Sequence, residues 1–147
     1  MPIKNVSVRE AHAKQAEGYT YVDVRSIPEY EMGHPTGAVN VPLLHHDERT
    51  GMMMPNRDFL AVMHASFPAD ARLLMGCQVG ARSAQAAQML SASGYTDVLN
   101  VAGGFGGGRD PMTGAFVEGW VQASLPVDSS RDGSYEGLRA NASKGDQ

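Results

Sequence analysis

The chain has one cysteine, Cys77, and it opens the run Cys77-Gln78-Val79-Gly80-Ala81-Arg82-Ser83. Leu73-Leu74-Met75 leads into this run and Ala84-Gln85-Ala86-Ala87-Gln88-Met89-Leu90 leads out. The first is apolar like a strand and the second is rich in helix formers. A thiol is thereby placed between the end of a strand and the start of a helix. Unpaired backbone N–H groups point outward there, and the helix dipole is positive. An anion is stabilised at such a place, so a thiolate nucleophile is favoured. The loop alone is equally compatible with a buried cysteine that fills a gap at a strand end.

The surrounding elements must bring such a loop to an accessible edge. Ser7-Val8-Arg9-Glu10 has the capping-box form and predicts a helix to about Glu17, stopped at Gly18. Tyr19 to Val24 reads as a strand. Ser26-Ile27-Pro28-Glu29 repeats the capping signature and opens a short helix that ends at Gly33. Ala38 to Val41 reads as a short strand, and Leu43 to Met54 as a loop. A helix is expected from Pro55 to about Ser66, a strand over Ala71–Met75, a helix over Arg82–Ser93 and a strand over Val98–Val101. A last helix is expected over Phe116–Ala123. This alternation predicts an α/β fold with a mainly parallel central sheet flanked by helices on both faces. Ligands bind such sheets beyond the carboxyl ends of the strands. Asp23-Val24-Arg25, the cysteine loop and Ala102-Gly103-Gly104 all follow strands, so they converge on one edge.

Size and charge narrow the classes further. A chain of 147 residues fits one domain with a tail. The formal charge of -4 argues against bulk nucleic-acid binding. No apolar run reaches bilayer length, and Met1 to Asn5 opens no secretory segment. A single cysteine forms no internal disulfide, which fits a cytoplasmic setting.

In one order, the chain carries Val22-Asp23-Val24-Arg25 with Glu29-Tyr30, then Gly33-His34-Pro35-Thr36-Gly37-Ala38-Val39-Asn40-Val41-Pro42, then the cysteine loop. Gly94-Tyr95-Thr96-Asp97-Val98, Ala102-Gly103-Gly104-Phe105 and Trp120 to Val127 follow. This succession resembles the single-domain rhodaneses, or thiosulfate sulfurtransferases, over residues 1–127. The resemblance implies one rhodanese-like domain over 1–127 and a polar tail over 128–147, flexible or pinned by one helical turn through Tyr135 and Leu138. It implies an enzyme that moves a sulfane sulfur from thiosulfate or a persulfide to cyanide, a thiol or a protein through a Cys77 persulfide. Gln78, Val79, Gly80, Ala81, Arg82 and Ser83 would form the substrate cradle, Arg82 supplying charge and Ser83 capping the helix. Asp23 and Arg25 would support it by tying the strand end to a neighbouring loop. His34 would stabilise a turn as a hydrogen-bond donor. Neither a metal nor an organic cofactor is required.

Two other readings compete. A cysteine-dependent phosphatase also closes a thiolate loop with an arginine. Only four residues separate Cys77 from Arg82, one fewer than such phosphatases use, and Gly76 replaces their histidine. A non-turnover persulfide carrier or docking module is favoured by the uncharged Gln78, Val79 and Ala81, because thiosulfate is a dianion. A sulfur-relay protein would then be the partner.

Gly106 to Gly119 exceeds the short link the family has there, and reads as a tolerated excursion or a lid. His45-His46 and Met52-Met53-Met54 invite a copper reading, but their spacing matches no site, and methionines capping an apolar surface are the expectation.

Overall fold

A computed structural model describes residues 3–110 and 112–145. Met1 and Pro2 of the opening segment, Pro111 within the stretch from Gly106 to Gly119, and Asp146 and Gln147 at the end of the tail lie outside these. A five-stranded sheet forms the centre, in the order β1 (Lys4–Val6), β8 (Asp97–Val101), β7 (Arg72–Gly76), β2 (Thr20–Asp23) and β4 (Val39–Asn40). Every pairing in it is parallel.

The strands bury alternate residues into two cores, as a period of two requires. Leu73 and Met75 of β7, Val22 of β2 and Val98 of β8 enter one core. There they meet Phe59, Val62 and Met63 of α3 (Phe59–Ser66), and Ala86, Ala87 and Leu90 of α4 (Ala81–Ala92). Leu74, Tyr21, Leu99 and Val101 enter the other, with Val8 and Ala11 of α1 (Val8–Ala16), Tyr30 of α2 (Ile27–Met32) and Trp120. Leu73-Leu74-Met75 is continuously apolar because β7 is covered on both faces. The capping boxes at Ser7 and Ser26 are both formed.

Several segments depart from the sequence expectations. The amino terminus supplies β1, an edge strand too short to carry a periodic signal. Its register on β8 pairs Asn5 with Asn100. Residues read as a loop over 43–54 contain an antiparallel hairpin, β5 (Leu44–His46) with β6 (Met53–Pro55). Met52, Met53 and Met54 are 62%, 37% and 46% exposed. Pairing β5 with β6 satisfies the backbone of both short strands.

The helix expected over Phe116–Ala123 is absent. β10 (Phe116–Val117) pairs antiparallel with β9 (Gly108–Arg109), and a turn follows from Trp120. The chain there lies too close to Gly107 for a helix: a Cβ on Gly119 would stand 2.1 Å from the Gly107 nitrogen. Trp120 is fully buried, with its Nε1–H donated to the Pro126 carbonyl at 2.7 Å.

β3 (His34–Pro35) pairs with β11 (Val127–Asp128) and closes the domain. Buried His34 stacks on Tyr30, and its Nδ1 lies 2.9 Å from the Tyr30 carbonyl. Beyond it, α5 (Tyr135–Gly145) occupies the segment read as a tail. Tyr135 is buried in the first core, with Leu138 and Ala142 packed against it, and its hydroxyl meets Asn56 Nδ2 at 3.1 Å. Residues 135, 138 and 142 share one helical face, which a polar composition conceals.

Candidate active site

The end of β7 and the start of α4 hold Cys77 between them, as the sequence order requires. Gly80 takes φ +109° at the N-cap of α4, a conformation that a side chain disfavours. This turn folds the backbone back onto the sulfur. The Gly80 N–H donates to Cys77 Sγ at 3.0 Å and the Ser83 N–H at 3.4 Å. The helix cap is thus Gly80, not Ser83. The Ser83 hydroxyl instead lies 3.4 Å from Sγ, 3.2 Å from the Gly80 carbonyl and 2.6 Å from Asn100 Oδ1. The Cys77 side chain is 1% exposed, so it is buried, yet polar donors face it.

A second glycine turn clamps this loop from β8. The N–H groups of Phe105 and Gly106 donate to the carbonyls of Cys77 and Gln78 at 2.7 and 2.9 Å. A Cβ on Gly104 would stand 2.2 Å from the Cys77 carbonyl oxygen, so only glycine fits this close approach.

Arg25 and Arg82 are each matched by a carboxylate. Arg25, at the end of β2, is buried and bonds Asp23 through Nε and Nη2, at 3.0 and 2.7 Å. It also donates to the Gly33 carbonyl at 2.7 Å and to Gln78 Oε1 at 3.3 Å, and lies 4.4 Å from the Phe105 ring centroid. Arg82 donates to Glu29, with contacts of 2.8 and 3.1 Å. Burial pushes the Glu29 carboxyl up, but the hydrogen bonds from Arg82 and Ser26 outweigh it and hold the group at about 2.

Of the cradle, Gly80 and Ser83 touch the sulfur, Gln78 is held by Arg25, Val79 faces solvent at 55% exposure, and Ala81 opens the helix. Val79, Gly80 and Ala81 border a cleft of about 720 Å³ that Asn100, Arg109 and Met112 also line. Sequence reasoning missed Glu29 as the partner of Arg82, and missed Asn100. Glu29 stands in the sequence as a capping residue and as part of the Glu29-Tyr30 motif, not as a partner of Arg82. Asn100 was signalled by being polar inside the apolar strand Val98-Leu99-Asn100-Val101.

His45 lies 5.6 Å from the Tyr135 ring, away from this edge. Among the described residues no group of three or more His, Cys, Asp or Glu stands ready to hold a metal ion. No helix among them is long and apolar enough to cross a membrane.

A parallel sheet that delivers a cysteine into a cradle of amides at the head of a helix defines the class. The chain belongs to the rhodanese-like domain family, whose profile matches residues 7–109. It is similar to Thiosulfate sulfurtransferase 16, chloroplastic, of Arabidopsis thaliana, at 37% identity over 69% of this chain and 82% of that one. It is 33% identical to Rhodanese-like domain-containing protein 15, chloroplastic, of the same plant, over 84% of this chain and 60% of that protein's length. Among solved structures, the M. tuberculosis protein Rv0390 superposes with a TM-score of 0.70 at 25% identity, over 88% of this chain and all of that one.

Proposed function

We propose that this chain is a sulfurtransferase in which Cys77 carries the sulfur. The Cys77 thiolate attacks the sulfane sulfur of a donor, forming one S–S bond as the donor's own bond to that sulfur breaks. The departing group is a thiolate from a persulfide donor, or sulfite from thiosulfate. A thiolate or cyanide then attacks the outer sulfur, the Cys77 S–S bond breaks, and the Cys77 thiolate returns. No oxidant, metal or organic cofactor enters this cycle. The observation that carries the reading is the pair of backbone N–H groups, from Gly80 and Ser83, aimed at Cys77 Sγ. They stabilise negative charge on sulfur without a bound cation.

The donor follows from charge. Asp23 matches Arg25 and Glu29 matches Arg82, so neither guanidinium is left uncompensated for a dianion. A persulfide is the better donor and thiosulfate the poorer one. Exposed Val79 and Met112 on the neighbouring cleft favour a protein as the acceptor. A cytoplasmic setting fits a chain with one unpaired thiol. The test is steady-state kinetics with thiosulfate and a low-molecular-weight persulfide as alternative donors. The expected result is a higher kcat/KM for the persulfide and a millimolar KM for thiosulfate; a micromolar KM for thiosulfate would contradict the assignment of donor.

A further inference from the structure

A chain of side chains leads from the sulfur to the protein surface. Cys77 Sγ–H reaches Ser83 Oγ at 3.4 Å, Ser83 donates to Asn100 Oδ1 at 2.6 Å, and Asn100 Nδ2 donates to Asn5 Oδ1 at 2.9 Å. Ser83 and Asn100 are buried, whereas Asn5 is exposed on edge strand β1 and borders the 720 Å³ cleft. All three donors point outward, which suits a protonated sulfur.

Losing the thiol proton changes what the sulfur requires. A thiolate or a persulfide offers Ser83 no proton at Sγ and instead accepts one. Ser83 has a single hydroxyl proton. Turning it to sulfur would strand the Asn100 carbonyl, and a buried acceptor left without a donor is costly. The conflict disappears if both amides turn over. Asn5 Nδ2 then donates to Asn100 Oδ1, Asn100 Nδ2 donates to Ser83 Oγ, and Ser83 donates to sulfur. The two ends of an amide have nearly the same shape, so the reversal needs no repacking. Asn5 can turn in solvent.

We propose that Asn100 and Asn5 are positioning residues: through Ser83 they form a reversible hydrogen-bond chain that supplies Cys77 with a third donor whenever its sulfur is unprotonated. This rests on the sulfur-carrier reading for its purpose, but not for its physics. Other charges near the loop do not replace the device. From β2 come the paired Asp23 and Arg25, and from α2 and α4 the paired Glu29 and Arg82. Burial holds the Tyr21 hydroxyl, close to Gly76, well above its ordinary range and therefore neutral. Lys4 is exposed on β1, and Arg109 and Asp110 line the cleft.

Thiolate absorbance near 240 nm, followed against pH in 1 M salt, tests this. Cys77 is the sole cysteine, and Cys77→Ser supplies the tyrosine background. Asn5→Asp can only accept, so it fixes the chain in its outward sense and holds the Ser83 proton away from sulfur. The midpoint of thiolate formation is expected to rise by about one pH unit, a roughly tenfold fall in the thiolate-to-thiol ratio. In 1 M salt the direct field of an exposed carboxylate is screened within about 3 Å. The same substitution made in Ser83→Ala, or in Asn100→Ala, is expected to leave the midpoint where that parent has it, because the chain is already cut. A shift that survives in both cut backgrounds, or no shift in the uncut protein, overturns the proposal. The titration uses no sulfur donor, so it stands or falls separately from sulfur transfer.

Discussion

Two regions of this chain gather residues capable of chemistry, and only one of them organises those residues. The β5–β6 hairpin carries two imidazoles and neighbouring thioethers, with His45 opposite Met54 and His46 opposite Met53. By composition it is the richer site. Yet its methionines face solvent, and His45 turns to Tyr135. The cysteine loop has one sulfur atom, but three elements converge on it. α4 supplies amides, the Gly103–Gly106 turn clamps the carbonyls, and β2 ends in a buried ion pair. What distinguishes the candidate site is convergence at the carboxyl edge of a parallel sheet and not residue type.

The contrast is sharpest at Arg25. Arg25→Met leaves the buried Asp23 carboxyl without its partner, which costs about 3–5 kcal/mol. Urea unfolding at neutral pH measures this, together with loss of the Gln78 contact that holds the loop.

A smaller effect separates the second ion pair by pH. The Glu29 carboxyl is held at about 2, below its ordinary 4.5. Its ionisation therefore stabilises the fold fully above pH 4.5, and that contribution is lost as pH falls through about 2. Glu29→Gln is expected to unfold at lower urea than the parent at pH 7, with the gap closing between pH 4.5 and 2. A gap that stays constant across this range would show that the Arg82 contact does not act through charge.

The smallest effect belongs to the hairpin. His45→Ala and His46→Ala are expected to leave sulfur loading unchanged, and the exposed His46 to shift stability by less than about 0.5 kcal/mol. Loss of sulfur loading in either variant would erase the distinction between the two regions.

Much of the favoured region is legible in the sequence because its signals are local. Leu73-Leu74-Met75 before Cys77, and Ala84 to Leu90 after it, announce the strand, loop and helix. Gly80 marks the turn. What sequence hides is long-range. The pairing of Arg82 with Glu29 joins residues far apart in the chain, and so does the contact of Asn100 with Asn5 across β8 and β1. Strand β1 exists because β8 offers it an edge, and β5–β6 is too short to announce itself. The spacing of Phe116, Val117 and Trp120 imitates a helix, until the contact of Gly119 with Gly107 decides otherwise. Helix α5 is recognisable only once Tyr135 is seen to fill the core.

The central claim is that Cys77 carries sulfur, and intact-protein mass spectrometry tests it most directly. After exposure to a persulfide donor, the protein should gain the mass of one sulfur atom, lose it on addition of cyanide, and gain nothing as Cys77→Ser. An unchanged mass in the folded parent protein, or a sulfur gain that persists in Cys77→Ser, would contradict it.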